Sequence, residues 1–260
     1  MSAADLRINN TIFLMHLVSG AYARAHHLTR SEFSRFDDRY HVVRYVSQCP
    51  DVFDSLPEDE IVKEVDAYVK RSTPMSIGAP DFLYHGSAVA FKAVDVRKGR
   101  GYKDFGKGFY MSVDRAQAIG MMHKKYDELQ SRRLFDSTDS PKKTLYRISL
   151  DAQVLEGLKV KTFERADAEW LDFVLLCRQV DGVPHDFDVV IGPTADDDTR
   201  LLIKNYLDGV YGDYGDPAAK ETLLRLLKPE RLGVQWFVGS QSVAARLISK
   251  LEPIDWRECL

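Results

Sequence analysis

Cysteine is scarce in this chain: three in 260 residues, at positions 49, 177 and 259, with no CxxC pair among them. That makes a poor disulfide framework and a poor zinc set, and it suits a reducing compartment. An excess of one charge is lacking too. Lys plus Arg number 36 and Asp plus Glu 39, a formal net charge of −3, so no global field draws the chain to nucleic acid or to an anionic membrane. No window approaches the run of about 18 apolar residues that a membrane span requires. No basic n-region with a small-residue cleavage site opens the sequence, so a cytoplasmic location is expected. Phosphate-loop, HExxH, GxSxG and zinc-deaminase patterns are missing. No period of about 20–50 residues repeats.

What is present is globular material, 45% hydrophobic and 29% charged in 29.6 kDa. A chain of that mass can bury about 73% of its extended surface, enough for one large core or two modest ones. The first 75 residues read as helical. Ile12, Phe13, Met15, Leu17, Val18, Ala21 and Tyr22 recur at three- and four-residue steps. Thr29 with Glu32 forms a capping box ahead of Phe33 and Phe36. His41 to Val46 continues as a short helix that Pro50 stops, and Pro57 with Glu58, Asp59 and Glu60 opens another. Residues 72–81 read as a linker.

Beyond it the pattern becomes α+β. Strands are expected at Phe82–His85, Phe109–Val113, Leu145–Leu150, Leu158–Phe163, Phe187–Ile191 (closed by Gly192 and Pro193) and Val234–Val238. Helices are expected from Asp114 to about Leu129, over Glu169–Arg178, Asp198–Leu207 and Ala218–Leu227, and over Ser242–Leu247. Residues 131–143 read as a polar loop. The glycines at 99, 101, 106 and 108 mark an irregular segment; they make no dinucleotide fingerprint, because neither pair follows a long strand or enters a helix.

Three places carry candidate chemistry. In Tyr84-His85-Gly86-Ser87, a histidine able to hold a hydroxyl sits beside a glycine whose backbone a flat polar ring can approach; a satisfied turn histidine is the plain alternative. In Asp104-Phe105-Gly106-Lys107-Gly108-Phe109-Tyr110, a glycine bend precedes a tyrosine that either faces a planar ligand or fills the core. In Val234-Gln235-Trp236-Phe237-Val238, Gln235 shares a face with Phe237, as an exposed strand residue or a buried hydrogen bonder. Residues 91–107 are net +4 and residues 181–198 net −6. The first reads as a basic loop or an anion clamp. The second, with Asp196-Asp197-Asp198, reads as a solvated helix start or a metal-binding run.

Together the first two motifs resemble the opening signatures of the diphtheria-toxin and poly(ADP-ribose) polymerase branch of ADP-ribosyltransferases. The stretch 82–250, with Glu169-Trp170-Leu171-Asp172-Phe173, Asp186–Pro193 and the late glutamine strand, resembles the DUF3990 family, placed in the same superfamily. Residues 5–72 resemble the helical DUF3791 family. This resemblance implies a split two-sheet α+β core over 80–250, preceded by a small helical domain over 1–75 and followed by a tail over 251–260. It implies NAD as co-substrate and a His-Tyr-Glu triad, here His85, Tyr110 and Gln235. His85 would hold a ribose hydroxyl, Gly86 the nicotinamide amide, Ser87 the amide or the ribose, and Tyr110 the nicotinamide ring. Phe105 and Gly106 would line the site, Arg97 or Arg100 would clamp the pyrophosphate, and Met121 occupies the place of a second stacking tyrosine.

The implied activity is mono-ADP-ribosyl transfer to a protein or nucleic-acid acceptor, in a bacterial toxin or defence effector with a neutralising partner protein. NAD hydrolysis and a non-catalytic NAD- or ADP-ribose-binding module are the alternatives. Gln235 is the departure. An amide offers a dipole where the family has a carboxylate, a loss on the order of 2 kcal/mol, or about 30-fold in rate. Glu169, Asp172 or the acidic tract near residue 196 could compensate.

Overall fold

The computed structural model describes residues 3–72, 80–99, 101–135, 141–195, 199–227 and 233–257. Arg100 and the Asp196–Asp198 run lie outside them. The chain divides into two compact units. One contains residues 1–75, 165–171 and 196–230; the other contains 76–164, 172–195 and 231–260.

The first unit is helical. It holds α1 (Ala3–Ala25), α2 (Arg30–Tyr40), α3 (Val42–Gln48), α4 (Pro50–Phe53) and α5 (Glu58–Ser72). The Thr29 capping box is formed in full: Thr29 N–H donates to Glu32 Oε2 at 2.8 Å and Glu32 N–H to Thr29 Oγ1 at 3.3 Å. α2 and α3 do not run together as the sequence suggests, because His41 takes a left-handed conformation (φ 56°). Asp37 then accepts from Val43 N at 2.7 Å, satisfying a first-turn amide of α3. The buried stripe of α1 is Leu14, Val18, Ala21 and Tyr22, whereas Ile12 and Phe13 are 48% and 60% exposed. Helices from late in the sequence join this unit. They are α9 (Thr199–Leu207) and α10 (Pro217–Leu227), the latter burying Ala219, Leu223, Leu224 and Leu227. The Cys49 thiol lies 3.8 Å from the Ala218 carbonyl.

The second unit carries the sheet, with β1 (Leu83–Val89), β2 (Phe109–Ser112), β3 (Pro141–Leu150), β4 (Val160–Thr162), β5 (Val189–Pro193), β6 (Val234–Val238) and β7 (Ile248–Ile254). With it go α6 (Arg115–Ser131), α7 (Ala152–Glu156), the C-terminal part of α8 (Ala168–Arg178) and α11 (Gln241–Leu247). The α+β class holds, but the strands make one seven-stranded sheet, ordered β4-β5-β6-β2-β1-β3-β7, where two sheets were expected. The reason the halves stay joined is a single register pair between β1 and β2, Tyr84↔Ser112. Beyond it β1 follows β3 alone, through Gly86↔Leu145 and Ser87↔Thr144.

Three further expectations change. Residues 251–254 are no tail; they complete β7, with Leu251↔Ile148 and Ile254↔Leu145. Polar residues 141–143 belong to β3, because Pro141 pairs with Val89. Gly192 and Pro193 extend β5 instead of closing it.

Side chains alternate along a strand, so the register sorts residues onto two faces. Leu83, His85, Phe109, Met111, Trp236 and Val238 take one, and all but His85 sit in a core with Ile191, Val243 and Leu247. Tyr84, Gly86, Tyr110, Ser112, Gln235 and Phe237 take the other. α6 lies directly over Gly86: a Cβ there would stand 1.9 Å from the Ala118 carbonyl oxygen and 2.8 Å from Met122 Cβ. Gly86→Ala therefore forces β1 and α6 apart. The expected loss is at least about 2 kcal/mol of stability, read from the denaturant midpoint; an unchanged midpoint contradicts this packing.

Candidate functional site

The point where β1 leaves β2 is closed by a side chain. His85 Nδ1 lies 2.7 Å from the Tyr110 carbonyl oxygen. A carbonyl can only accept, so Nδ1 carries the proton and Nε2 presents its lone pair. Burial lowers the imidazole pKa, against the opposing pull of this hydrogen bond, and favours the neutral ring. The ring packs 4.4 Å from Phe109 and 5.8 Å from Phe91, centroid to centroid. Ser87, on the same face, accepts from Val89 N–H at 3.2 Å.

Tyr110 ties the opposite face together. Its hydroxyl donates to the Gly106 carbonyl at 2.7 Å and accepts from Phe105 N–H at 3.1 Å, clamping the glycine bend that precedes it. Burial, and then the Asp104 charge, push the phenol well above its ordinary pKa. Gly106 needs its freedom: φ is +91°, and a Cβ would meet the Gly182 carbonyl at 2.7 Å. Phe105 is fully buried among Phe163, Phe173 and Phe237, so it supports the bend from inside and offers no ligand surface.

Gln235 is buried and its amide is engaged. Nε2 donates to Asp104 Oδ2 at 2.7 Å and to the Pro193 carbonyl at 3.3 Å. Asp104, 4% exposed, also accepts from Arg178 Nε at 2.9 Å and from Ala195 N–H at 3.1 Å. Burial alone would raise its carboxyl pKa. The Arg178 guanidinium and the hydrogen bonds from Ala195, Arg178 and Gln235 outweigh that and hold it below the usual carboxylate range. The same burial, with the Asp104 charge, pushes the Cys177 thiol up to about 12, which leaves it an unreactive thiol. His185 bridges nearby backbone, with Nε2 3.0 Å from the Phe105 carbonyl and Nδ1 accepting from Phe187 N–H at 3.3 Å.

His85 and Tyr110 are thus brought together through an imidazole and a main-chain carbonyl, while the phenol and the Gln235 amide lie on the other face of the sheet. Arg97 is exposed and held bidentately by Asp95, at 2.9 Å from each nitrogen, a local pair at the start of a 3-10 turn (Val96–Lys98). Met121 stands exposed on α6. Trp170 is fully buried. Asp186 pairs with Lys159 at 2.8 Å, and Asp188 accepts from Lys159 N–H at 2.9 Å.

Sequence reasoning passed over Asp104, Arg178 and His185 as working parts. The one available signal for Asp104 was an acid in an otherwise basic stretch, directly ahead of a glycine bend. Arg178 reads locally as a helix-terminal cation.

A family model described as a protein of unknown function, DUF3990, matches residues 82–248. The chain belongs to the DUF3990 family. A second model, also described as a protein of unknown function (DUF3791), matches residues 12–72. No curated protein and no solved structure matches the chain. Among the described residues no helix is long and apolar enough to cross a membrane, and no group of three or more His, Cys, Asp or Glu could hold a metal.

Within the DUF3990 region the buried ion pair makes a sharp prediction. Asp104→Ala leaves Arg178 with an uncompensated charge and is expected to lower stability by about 3–5 kcal/mol. In the unchanged protein the Asp104 contribution is complete above the unfolded carboxyl pKa of about 3.9. It is lost as pH falls below that value through the depressed native pKa. Chemical denaturation at a series of pH values checks both. An acid limb that persists unaltered in Asp104→Ala contradicts the assignment.

Proposed function

We propose that this DUF3990 protein is an NAD-dependent mono-ADP-ribosyltransferase whose ligand enters where β1 and β2 separate. The observation that carries the reading is the His85 imidazole, held neutral with Nδ1–H on the Tyr110 carbonyl and Nε2 left as an acceptor. An acceptor nitrogen fixed in this way suits a ribose hydroxyl, which needs a partner that will not compete as a donor. The space of the missing Gly86 side chain is taken by α6, so the nicotinamide amide is assigned to the Gly86 main chain along the parted edge, where β1 has left β2 and follows β3 alone. The motif order, with Tyr84-His85-Gly86-Ser87 preceding Gly106–Tyr110, supports the same assignment through the resemblance described above.

In the reaction the bond between nicotinamide nitrogen and ribose C1′ breaks. Its electron pair leaves with neutral nicotinamide, and an acceptor nucleophile adds to C1′ and releases a proton. Positive charge gathers on the ribose meanwhile, so a group on the 2′-hydroxyl accelerates the step if it interacts more strongly with that charge than with the ground state. Gln235 in place of a carboxylate predicts slow, single transfer. The acceptor is a protein or a nucleic acid.

A second reading, an NAD- or ADP-ribose-binding module without turnover, is favoured by one observation: the Gln235 amide donates to Asp104 and Pro193 on the face opposite the imidazole. Incubation of the full chain with NAD labelled in the nicotinamide carbonyl separates the two. Free labelled nicotinamide supports transfer or hydrolysis, and adenine-labelled NAD then distinguishes them by whether label joins a macromolecule. His85→Ala is expected to weaken NAD binding about 10-fold or more, the worth of one good hydrogen bond in a desolvated site. Unchanged affinity, or no NAD binding by the unchanged protein, contradicts the proposal.

A further inference from the structure

The aromatic rings around His85 come from three separate segments. β1 ends at Val89, whose partner on β3 is Pro141, so Phe91 lies beyond that ladder, on the connection that spans the mouth between β1 and β2. A phenol takes the ladder's place. Tyr146 stands directly across from His85 on β3. Its hydroxyl accepts from Phe91 N–H at 2.6 Å and donates to the Phe91 carbonyl at 2.8 Å, and the two rings stack at 4.2 Å. Phe91 is thereby fixed with its ring 5.8 Å from the imidazole and tilted 67° to it. Phe109, from β2, flanks the imidazole at 4.4 Å and meets Phe91 edge-on at 89°. Tyr146 is buried, whereas Phe91 and His85 each keep part of their surface exposed.

We propose that Phe91, clamped by Tyr146, is a positioning residue of the ligand site: its ring walls the His85 imidazole from water and so keeps Nε2 an acceptor for a ribose hydroxyl. A protonated imidazole donates at both nitrogens, so a charged ring has no acceptor left to offer. An apolar wall disfavours that charged form. Burial is the leading influence on this ring, and the Tyr110 hydrogen bond opposes it. The nearest groups bring no charge of their own. Phe109 and the Tyr110 carbonyl come from β2, and the Tyr146 phenol, from β3, is kept neutral by its own burial. On the connection itself Lys92 and Arg97 are exposed, where water screens them, and Arg97 is paired with Asp95. The proposal rests on the NAD-binding reading given above and adds to it the residue that sets the pH range over which the site works.

The test follows the His85 ring nitrogens of the full 15N-labelled chain through an acid titration, with NAD affinity measured over the same range. It compares the unchanged protein with Phe91→Ala, Phe91→Leu and Tyr146→Phe. In Phe91→Ala the ring should titrate at a higher pH than in the unchanged protein, approaching the ordinary histidine value of about 6.5. With that midpoint about nine-tenths of the rings are neutral one unit above it and about one-tenth one unit below, so NAD affinity should fall about 10-fold between the two. In the unchanged protein the fall should come at lower pH, together with its own ring midpoint. Phe91→Leu restores an apolar wall and should return both midpoints toward those of the unchanged protein. Tyr146→Phe keeps both rings but frees the Phe91 main chain, and should move the midpoints the same way as Phe91→Ala, by less.

A ring that titrates alike in the unchanged protein and in Phe91→Ala overturns the proposal. So does a Phe91→Ala affinity that stays level while its ring takes up the proton, or a Phe91→Leu protein that behaves like Phe91→Ala. Should Phe91→Ala fail to fold, Tyr146→Phe decides on its own, and unmoved midpoints there overturn the proposal. If the unchanged protein binds no NAD while the ring midpoints shift as expected, the NAD reading fails and the wall stands as a structural shield. In that outcome the ligand part of the proposal is overturned.

Discussion

One hydrogen bond from a side chain holds the sheet where its backbone ladder gives out. β1 and β2 meet at Tyr84↔Ser112 and then part, and the Tyr110 carbonyl, which a continued ladder would have engaged, is met by the His85 ring. A main-chain carbonyl buried without a partner is expensive, so the imidazole is required there as a donor. Burial in turn lowers its pKa, and the neutral ring can donate at one nitrogen only. The same residue that mends the sheet therefore offers an acceptor at its other end. Structure and proposed chemistry make the same demand on His85.

Tyr110 extends this tie in the other direction. Its carbonyl serves the imidazole while its hydroxyl holds Phe105 and Gly106, so the two half-sheets and the glycine bend share one residue. Asp104, one position before that bend, binds the end of α8 through Arg178, the end of β5 through Ala195 and β6 through Gln235. The two ties differ in kind. The His85 contact is neutral and adjustable. The Asp104 contact is ionic and buried, and loss of either Asp104 or Arg178 leaves the other charge without its partner.

Local signals in the sequence were the ones that carried over. The Thr29 box forms because both partners lie within three residues, Asp114 caps α6 through Ala116 N–H, and the apolar run 234–238 becomes β6 with those bounds. Where the outcome depends on distant segments, the sequence is silent. Gln235 and Asp104 are 131 positions apart, so the amide's partner could not be read from its strand. The face taken by His85 relative to Tyr110 depends on the Tyr84↔Ser112 register, and alternation along a strand does not reveal register between strands. α9 and α10 read as helices, yet their spacing does not say that they group with the N-terminal helices, where α10 buries Leu223 and Leu224. Ile12 and Phe13 fit a helical stripe on spacing alone; Leu14 and Val18 are the residues that the core selects.

The most direct measurement is the tautomer of the His85 ring, from long-range 1H–15N correlation spectra of the full chain with and without NAD. The account predicts a neutral ring protonated at Nδ1 near pH 7, with the Nε2 resonance moving toward that of a hydrogen-bonded acceptor as NAD is added. A ring protonated at Nε2, or an Nε2 resonance unmoved at saturating NAD, would contradict it.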